Sequence, residues 1–147
     1  MGDSRAAHQK AAFGERNRGA RMAIVPVLQC RSIRASLAFY TSVLDFAVAG
    51  GDGCTNDPAY CVLVHGGDYL ILSSHRGDSR PGQAVVVTSH DVDADWRAFR
   101  ARGLVPAKPP AESPVHAGPF EQSWGTREFY VDDPDGNTLR FTERWFD

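Results

Sequence analysis

The stretch from Trp124 to Glu143, WGTREFYVDDPDGNTLRFTE, constrains the fold more than any other part of the chain, because it reads as one complete β-hairpin. Two segments that alternate apolar and polar residues, Arg127 to Val131 and Asn137 to Thr142, flank Asp132-Asp133-Pro134-Asp135-Gly136. Proline fixes φ near the value a turn needs and glycine reaches positive φ without steric penalty, so this insert can reverse the chain. Side chains alternate faces along a strand, so Phe129 and Val131 share a face with Leu139 and Phe141. The other face then carries Glu128, Tyr130, Thr138, Arg140 and Thr142. Packing alone gives no reason for a sheet face of charges, hydroxyls and a phenol, and functional residues are sought there first.

Upstream, the expected order is a strand at Ile24 to Gln29, a helix at Ile33 to Val43, and strands at Phe46 to Ala49, Tyr60 to Val64 and Asp68 to Ser73. A Gly/Pro/Ser-rich link, His75 to Gly82, precedes a second round: a strand at Ala84 to Thr88, a helix at Val92 to Arg102, a strand near Leu104 to Ala107, then the hairpin. Ser32 and Asp91 stand where helix N-caps belong. The halves align weakly. Val27 and Leu28 match Val86 and Val87, Ile33 matches Val92 and Tyr40 matches Phe99; at a larger offset Gly67, Leu70 and Leu72 match Gly136, Leu139 and Phe141. Two βαβββ modules, about 22–75 and 83–143, are the simplest reading, with loop insertions such as Pro106 to Ser123 absorbing the change of offset. The fold class is therefore α+β, with two modules forming a curved, partly open, antiparallel-rich sheet in one domain over 22–147. Residues 1–21 are polar and lack an amphipathic period, so they are expected to form a flexible extension, with Met22 a candidate start.

A chain of 147 residues with 42% hydrophobic and 23% charged residues suits one globular domain. Residues 22–147 keep 11 of the 16 bases and 16 of the 18 acids, a net charge of −5. That acidic body argues against a nucleic-acid surface and suits a cationic ligand or none in particular. No apolar run is long enough for a membrane span or a signal peptide, so no membrane association and a cytoplasmic location are expected. Cys30, Cys54 and Cys61 are odd in number and show no C-x-x-C spacing, which reads as three reduced thiols.

The DPDGN turn with its following apolar strand, together with Ser36-Leu37-Ala38-Phe39-Tyr40 and Val43-Leu44-Asp45-Phe46, resembles the glyoxalase/bleomycin resistance/extradiol dioxygenase (vicinal oxygen chelate) superfamily. Pro26-Val27-Leu28 and Trp124-Gly125-Thr126-Arg127-Glu128-Phe129 most resemble its bleomycin resistance branch. In metal-using members the resemblance implies one ligand, typically His, Gln or Glu, from the first and last strand of each module. Counting from the motifs puts these positions at Val25, Ile71, Ala84 and Arg140. None offers a carboxylate, imidazole or thiolate, and Arg140 is a fixed cation. No metal or other cofactor is expected.

Other chemistry is sparse. His65, His75, His90 and His116 fall in turns or at strand ends without metal-ligand spacing. Gly50-Gly51-Asp52-Gly53 reads as a turn, since it lacks the context of a phosphate loop, and Ser79 has no nucleophile context. Glu128 and Tyr130 could act as acid and base, or Arg140 could hold an anion; an ion pair of Arg140 with Glu128 is an equally good account. If the apolar faces pack on the helices, the first module contributes Tyr60, Cys61, Leu63, Tyr69, Ile71 and Ser73 to a ligand-binding cleft. The second contributes Phe120, Trp124, Glu128, Tyr130, Thr138 and Arg140. Flat rings with a polar tip suit a planar, partly polar ligand.

The resemblance then implies a metal-free, homodimeric binding protein that sequesters a small, cationic or planar antibiotic of the bleomycin type. The alternative is an enzyme on the same scaffold, a lyase, isomerase or thiol transferase acting on a small metabolite. A third reading, a metabolite-binding or metal-free enzymatic role, follows from fold not dictating function.

Overall fold

The computed structural model describes residues 22–49 and 55–143. The extension over 1–21, the Gly50–Gly53 turn and Cys54 lie outside the described residues. The chain divides into two compact units between Pro81 and Gly82.

In the first unit, strand β1 (Val27–Gln29) leads into helix α1 (Ile33–Ala38), followed by β2 (Ala47–Val48), β3 (Tyr60–His65) and β4 (Asp68–Ser73). Ser32 Oγ accepts the Ala35 N–H at 3.2 Å, the capping bond its position predicts. A second cap comes from a loop: Asp57 Oδ1 accepts the Ile33 N–H at 2.9 Å. A side-chain hydrogen bond with Ser74 foremost, and the Ile33 bond next, hold the Asp57 carboxyl below the usual carboxylate range. The helix does not run on as α to Val43. Phe39–Val43 is a π-helical turn, closed by the Leu44 N–H donating to Phe39 O at 3.2 Å.

The second unit repeats this order as β5 (Ala84–Thr88), α2 (Val92–Ala101), a short α3 (Pro114–Ala117), β6 (Phe120–Glu121), β7 (Arg127–Asp132) and β8 (Thr138–Glu143). Its sheet runs β5-β8-β7-β6, and that of the first unit runs β1-β4-β3-β2. In each, the first strand is parallel to the last and the other pairs are antiparallel. Val27 pairs with Ile71 as Val86 pairs with Arg140, so both halves of the weak repeat occupy equivalent sheet positions. Leu104 to Ala107 forms no strand; Leu104 instead accepts from Arg100 Nη1 through its carbonyl, at 2.6 Å.

The core of the second unit follows from the hairpin pattern. Phe129 stacks on Phe141 at 4.9 Å between ring centres and meets Trp96 and Phe99 of α2 edge-on. The turn is tied as well as bent. Asp133 Oδ1 accepts the N–H groups of Asp135 and Asn137, and Asn137 Oδ1 accepts the N–H of Gln83, fixing the turn to the entry of β5. Gly136, at φ 79°, supplies the left-handed residue between them. No helix among the described residues is long and apolar enough to cross a membrane.

Candidate functional site

Pairing along β5 to β8 settles which side chains share the open face of the second unit. Phe120 lies opposite Glu128, Glu128 opposite Thr142, Tyr130 opposite Arg140, and Asp132 opposite Thr138. Partners in a ladder project to the same side, so Phe120, Glu128, Tyr130, Thr138 and Arg140 are brought together. Val86, paired with Arg140, adds an exposed apolar neighbour that the sequence did not single out. Trp124 stands in the β6–β7 turn and is largely exposed.

Glu128 sits at the centre of this face, only 3% exposed. Its carboxylate accepts from Gln122 Nε2 and Thr126 Oγ1 at 3.2 Å, and from Tyr130 Oη and Thr142 Oγ1 at 3.3 Å. All four donors are neutral. No lysine or arginine among the described residues pairs with it. Burying an ion is costly unless hydrogen bonds or an opposite charge replace its water, and here hydrogen bonds alone do so.

The ion pair between Arg140 and Glu128 does not form. Arg140 is exposed and lays its guanidinium over the Tyr130 ring, 5.0 Å from the centroid, with Tyr130 standing between it and the carboxylate. Burial pushes the Tyr130 hydroxyl above its ordinary range; the Glu128 charge adds to this and Arg140 opposes it. Tyr130 therefore remains a neutral donor. Thr138 turns its hydroxyl to Asp132, at 2.8 Å.

In the first unit the expected set divides. Tyr60 pairs with Ser73, Val62 with Ile71, and Val64 with Tyr69, so these six share one face. Val62, Tyr69 and Ile71 form a buried apolar cluster with Ala49, against which Val25, Val27 and Val64 pack. Cys61 and Leu63 project to the opposite face with Leu70 and Leu72, and both are fully buried. They are core residues rather than lining, because a strand reverses faces at every residue. Val62 and Val64 take their place. Cys61 is disulfide-bonded and Cys30 is buried and forms no disulfide, so the expectation of three reduced thiols fails at Cys61.

The polar end of this face is a set of structural bonds. Ser73 donates to Asp78, and Ser79 donates to the Val27 carbonyl at 2.8 Å. Ser79 is thereby a tether for β1. Burial raises the Tyr60 hydroxyl, and the Asp78 charge raises it further.

The positions counted as metal ligands do not suit a divalent cation. Val25 and Ile71 belong to the apolar cluster, and Arg140 carries a positive charge onto Tyr130. The residues directly paired with Ile71 and Arg140 are Val27 and Val86, which supply no donor either. Among the described residues no group of three or more His, Cys, Asp or Glu side chains is arranged to hold a metal ion.

His116 was indistinct in the sequence and is well defined in the structure. It is 7% exposed, lies edge-on to Tyr130 at 5.7 Å, and bonds Asp132 through Nε2 at 3.0 Å. The available signal was Ser113-Pro114, a helix start placing His116 three residues on.

Three solved structures share this architecture. A bleomycin resistance determinant encoded on the transposon Tn5 superposes with a TM-score of 0.65 at 20% identity, over 85% of this chain and 99% of that one. A bleomycin-binding protein complexed with bleomycin gives 0.62 at 21% identity, over 84% and 98%. Lactoylglutathione lyase from Agrobacterium tumefaciens gives 0.61 at 20% identity, over 83% and 93%. At these identities the likeness shows the fold. No curated protein sequence matches the chain. The sequence model of the Glyoxalase/Bleomycin resistance protein/Dioxygenase superfamily matches residues 23–141, and with both the strand order and the motifs in agreement the chain belongs to that superfamily.

Proposed function

We propose that this protein is a metal-free binding protein of the bleomycin resistance type, which holds a small cationic, planar molecule on the open face of its second unit. The observation that carries the reading is Glu128: a buried carboxylate, hydrogen-bonded by neutral donors and without a cationic partner among the described residues. Such a group is pre-organised to take a ligand's positive charge, and the low local dielectric strengthens the attraction. Tyr130 offers a neutral hydroxyl and ring beside it, and Phe120 and Val86 offer exposed apolar surface for the planar part. The bleomycin-bound relative supports a ligand of this chemistry. The same exposed apolar residues suit a homodimer, and a cytoplasmic location would place such a protein where it can intercept an antibiotic.

Calorimetric titration of the full chain with a bleomycin-type ligand tests the reading. Saturable binding at micromolar levels supports it, and flat titrations throughout that range remove this ligand class. The lyase seen among the structural relatives gives the enzymatic reading its support. Stoichiometric, tightly bound metal after purification would favour that second account.

A further inference from the structure

Ser113 opens α3, yet its hydroxyl makes no side-chain capping bond to the helix. Instead Ser113 Oγ lies 2.8 Å from His116 Nδ1. His116 Nε2 lies 3.0 Å from Asp132 Oδ1, and the same oxygen accepts from Thr138 Oγ1 at 2.8 Å. An ionised carboxylate only accepts, so Nε2 donates to Asp132, and in the neutral imidazole the lone pair then lies on Nδ1, facing the Ser113 hydroxyl. Two hydrogen bonds and the edge-on contact with Tyr130 fix the buried ring, while Ser113 is only half-buried.

A hydroxyl on a base that is itself oriented by a third group is the arrangement that activates serine. Here the two imidazole nitrogens exchange the roles they have in the familiar triad. The geometry points to Ser113 as a nucleophile that accepts acyl groups from small neutral esters, with His116 as its base and Asp132 orienting the imidazole. Anionic phosphoryl donors are disfavoured, because Glu112 adjoins Ser113 and Asp133 and Asp135 follow Asp132.

In the first half-reaction Ser113 Oγ bonds to the ester carbonyl carbon as its proton passes to His116 Nδ1. The bond to the leaving alkoxide then breaks, and the alcohol departs with that proton. Water attacks the acyl-serine, gives a proton to Nδ1, and releases the carboxylic acid as Ser113 Oγ recovers the proton. This activity differs in kind from ligand binding at Glu128, although Asp132 shares a sheet face with that residue and His116 touches Tyr130.

The test treats the full chain with p-nitrophenyl acetate and, separately, with the neutral probe diisopropyl fluorophosphate, and maps adducts by mass spectrometry. The expected result is one adduct per chain, on Ser113, with a matching burst of p-nitrophenol. Ser113→Ala abolishes both, and His116→Gln slows labelling by about 100-fold, the scale of general-base assistance. Asp132→Asn slows acylation about tenfold with KM unchanged, as loss of orientation rather than of binding requires. Circular dichroism establishes folding of each variant, and Asp132→Asn decides the matter if His116→Gln does not fold. No adduct on Ser113 in the folded wild type, an adduct elsewhere, or an unchanged rate in a folded His116 or Asp132 variant overturns the proposal.

Discussion

Tyr130 is shared by two opposite charges: its hydroxyl donates to Glu128, and its ring lies under the Arg140 guanidinium. Burial and the carboxylate raise its ionisation, while Arg140 is the one cause that lowers it. A group whose folded pKa is raised contributes stability that is complete below the unfolded value, here 10.0, and lost as pH rises through the folded one. Arg140→Gln removes the opposing cause, so an absorbance titration of the tyrosines, with Tyr130→Phe to assign the signal, should show Tyr130 ionising at higher pH. A lower or unchanged value would mean that Arg140 does not act on this ring. The same substitution removes a positive charge from the ligand face. Affinity for a cationic ligand should rise by about threefold to tenfold, the scale of a partly screened like-charge repulsion. A fall in affinity would identify Arg140 as an anion contact instead.

At the scale of elements, the hairpin reads directly from the sequence because its two faces differ chemically at every step. Phe129, stacked on Phe141 and edge-on to Trp96 and Phe99, is fully buried. Phe129→Ala should cost about 3–5 kcal/mol in urea unfolding, the range for an aromatic removed from a packed core. Cys61-Val62-Leu63-Val64 could not be read the same way. A continuous apolar run carries no alternation, so only the pairing of Val62 with Ile71 shows which residues share a face. The four-residue α3 and two-residue β6 fall below the length at which periodicity is visible, so the sequence alone gives His116 no context.

Helix α2 carries the acid-sensitive contact. Asp93, in its first turn, pairs in two places with Arg127 of β7, at 2.8 and 2.9 Å, and the Arg127 hydrogen bond holds its carboxyl below the usual range. A depressed carboxylate contributes stability above its unfolded value, 3.8, and loses it as pH falls through the folded one. Asp93→Asn should therefore lower stability modestly at neutral pH and flatten the acid limb of the stability curve below about pH 4 by the same small amount, since the pair is partly exposed. An unchanged acid limb would count against the pair.

For the whole molecule, the repeat is the clearest link between sequence and architecture. Its two offsets correspond to two sheet pairings, Val27 with Ile71 and Val86 with Arg140. The scaffold is thus used twice, the positions that the resemblance assigns to metal ligands carry valine, isoleucine, alanine and arginine, and the proposed binding centres on Glu128. The placement of Glu128 on the hairpin's polar face was legible from alternation alone. Its cage was not, because Gln122 and Thr126 reach it from the two ends of the β6–β7 turn and Thr142 from β8. Calorimetric titration of a cationic, planar bleomycin-type ligand into wild-type protein and Glu128→Gln tests this account most directly. The account predicts saturable micromolar binding to the wild type and a weakening of about tenfold or more in the variant, the loss expected when a buried charge pair loses one partner. Equal affinity in the two proteins, or no saturable binding to the wild type, would contradict it.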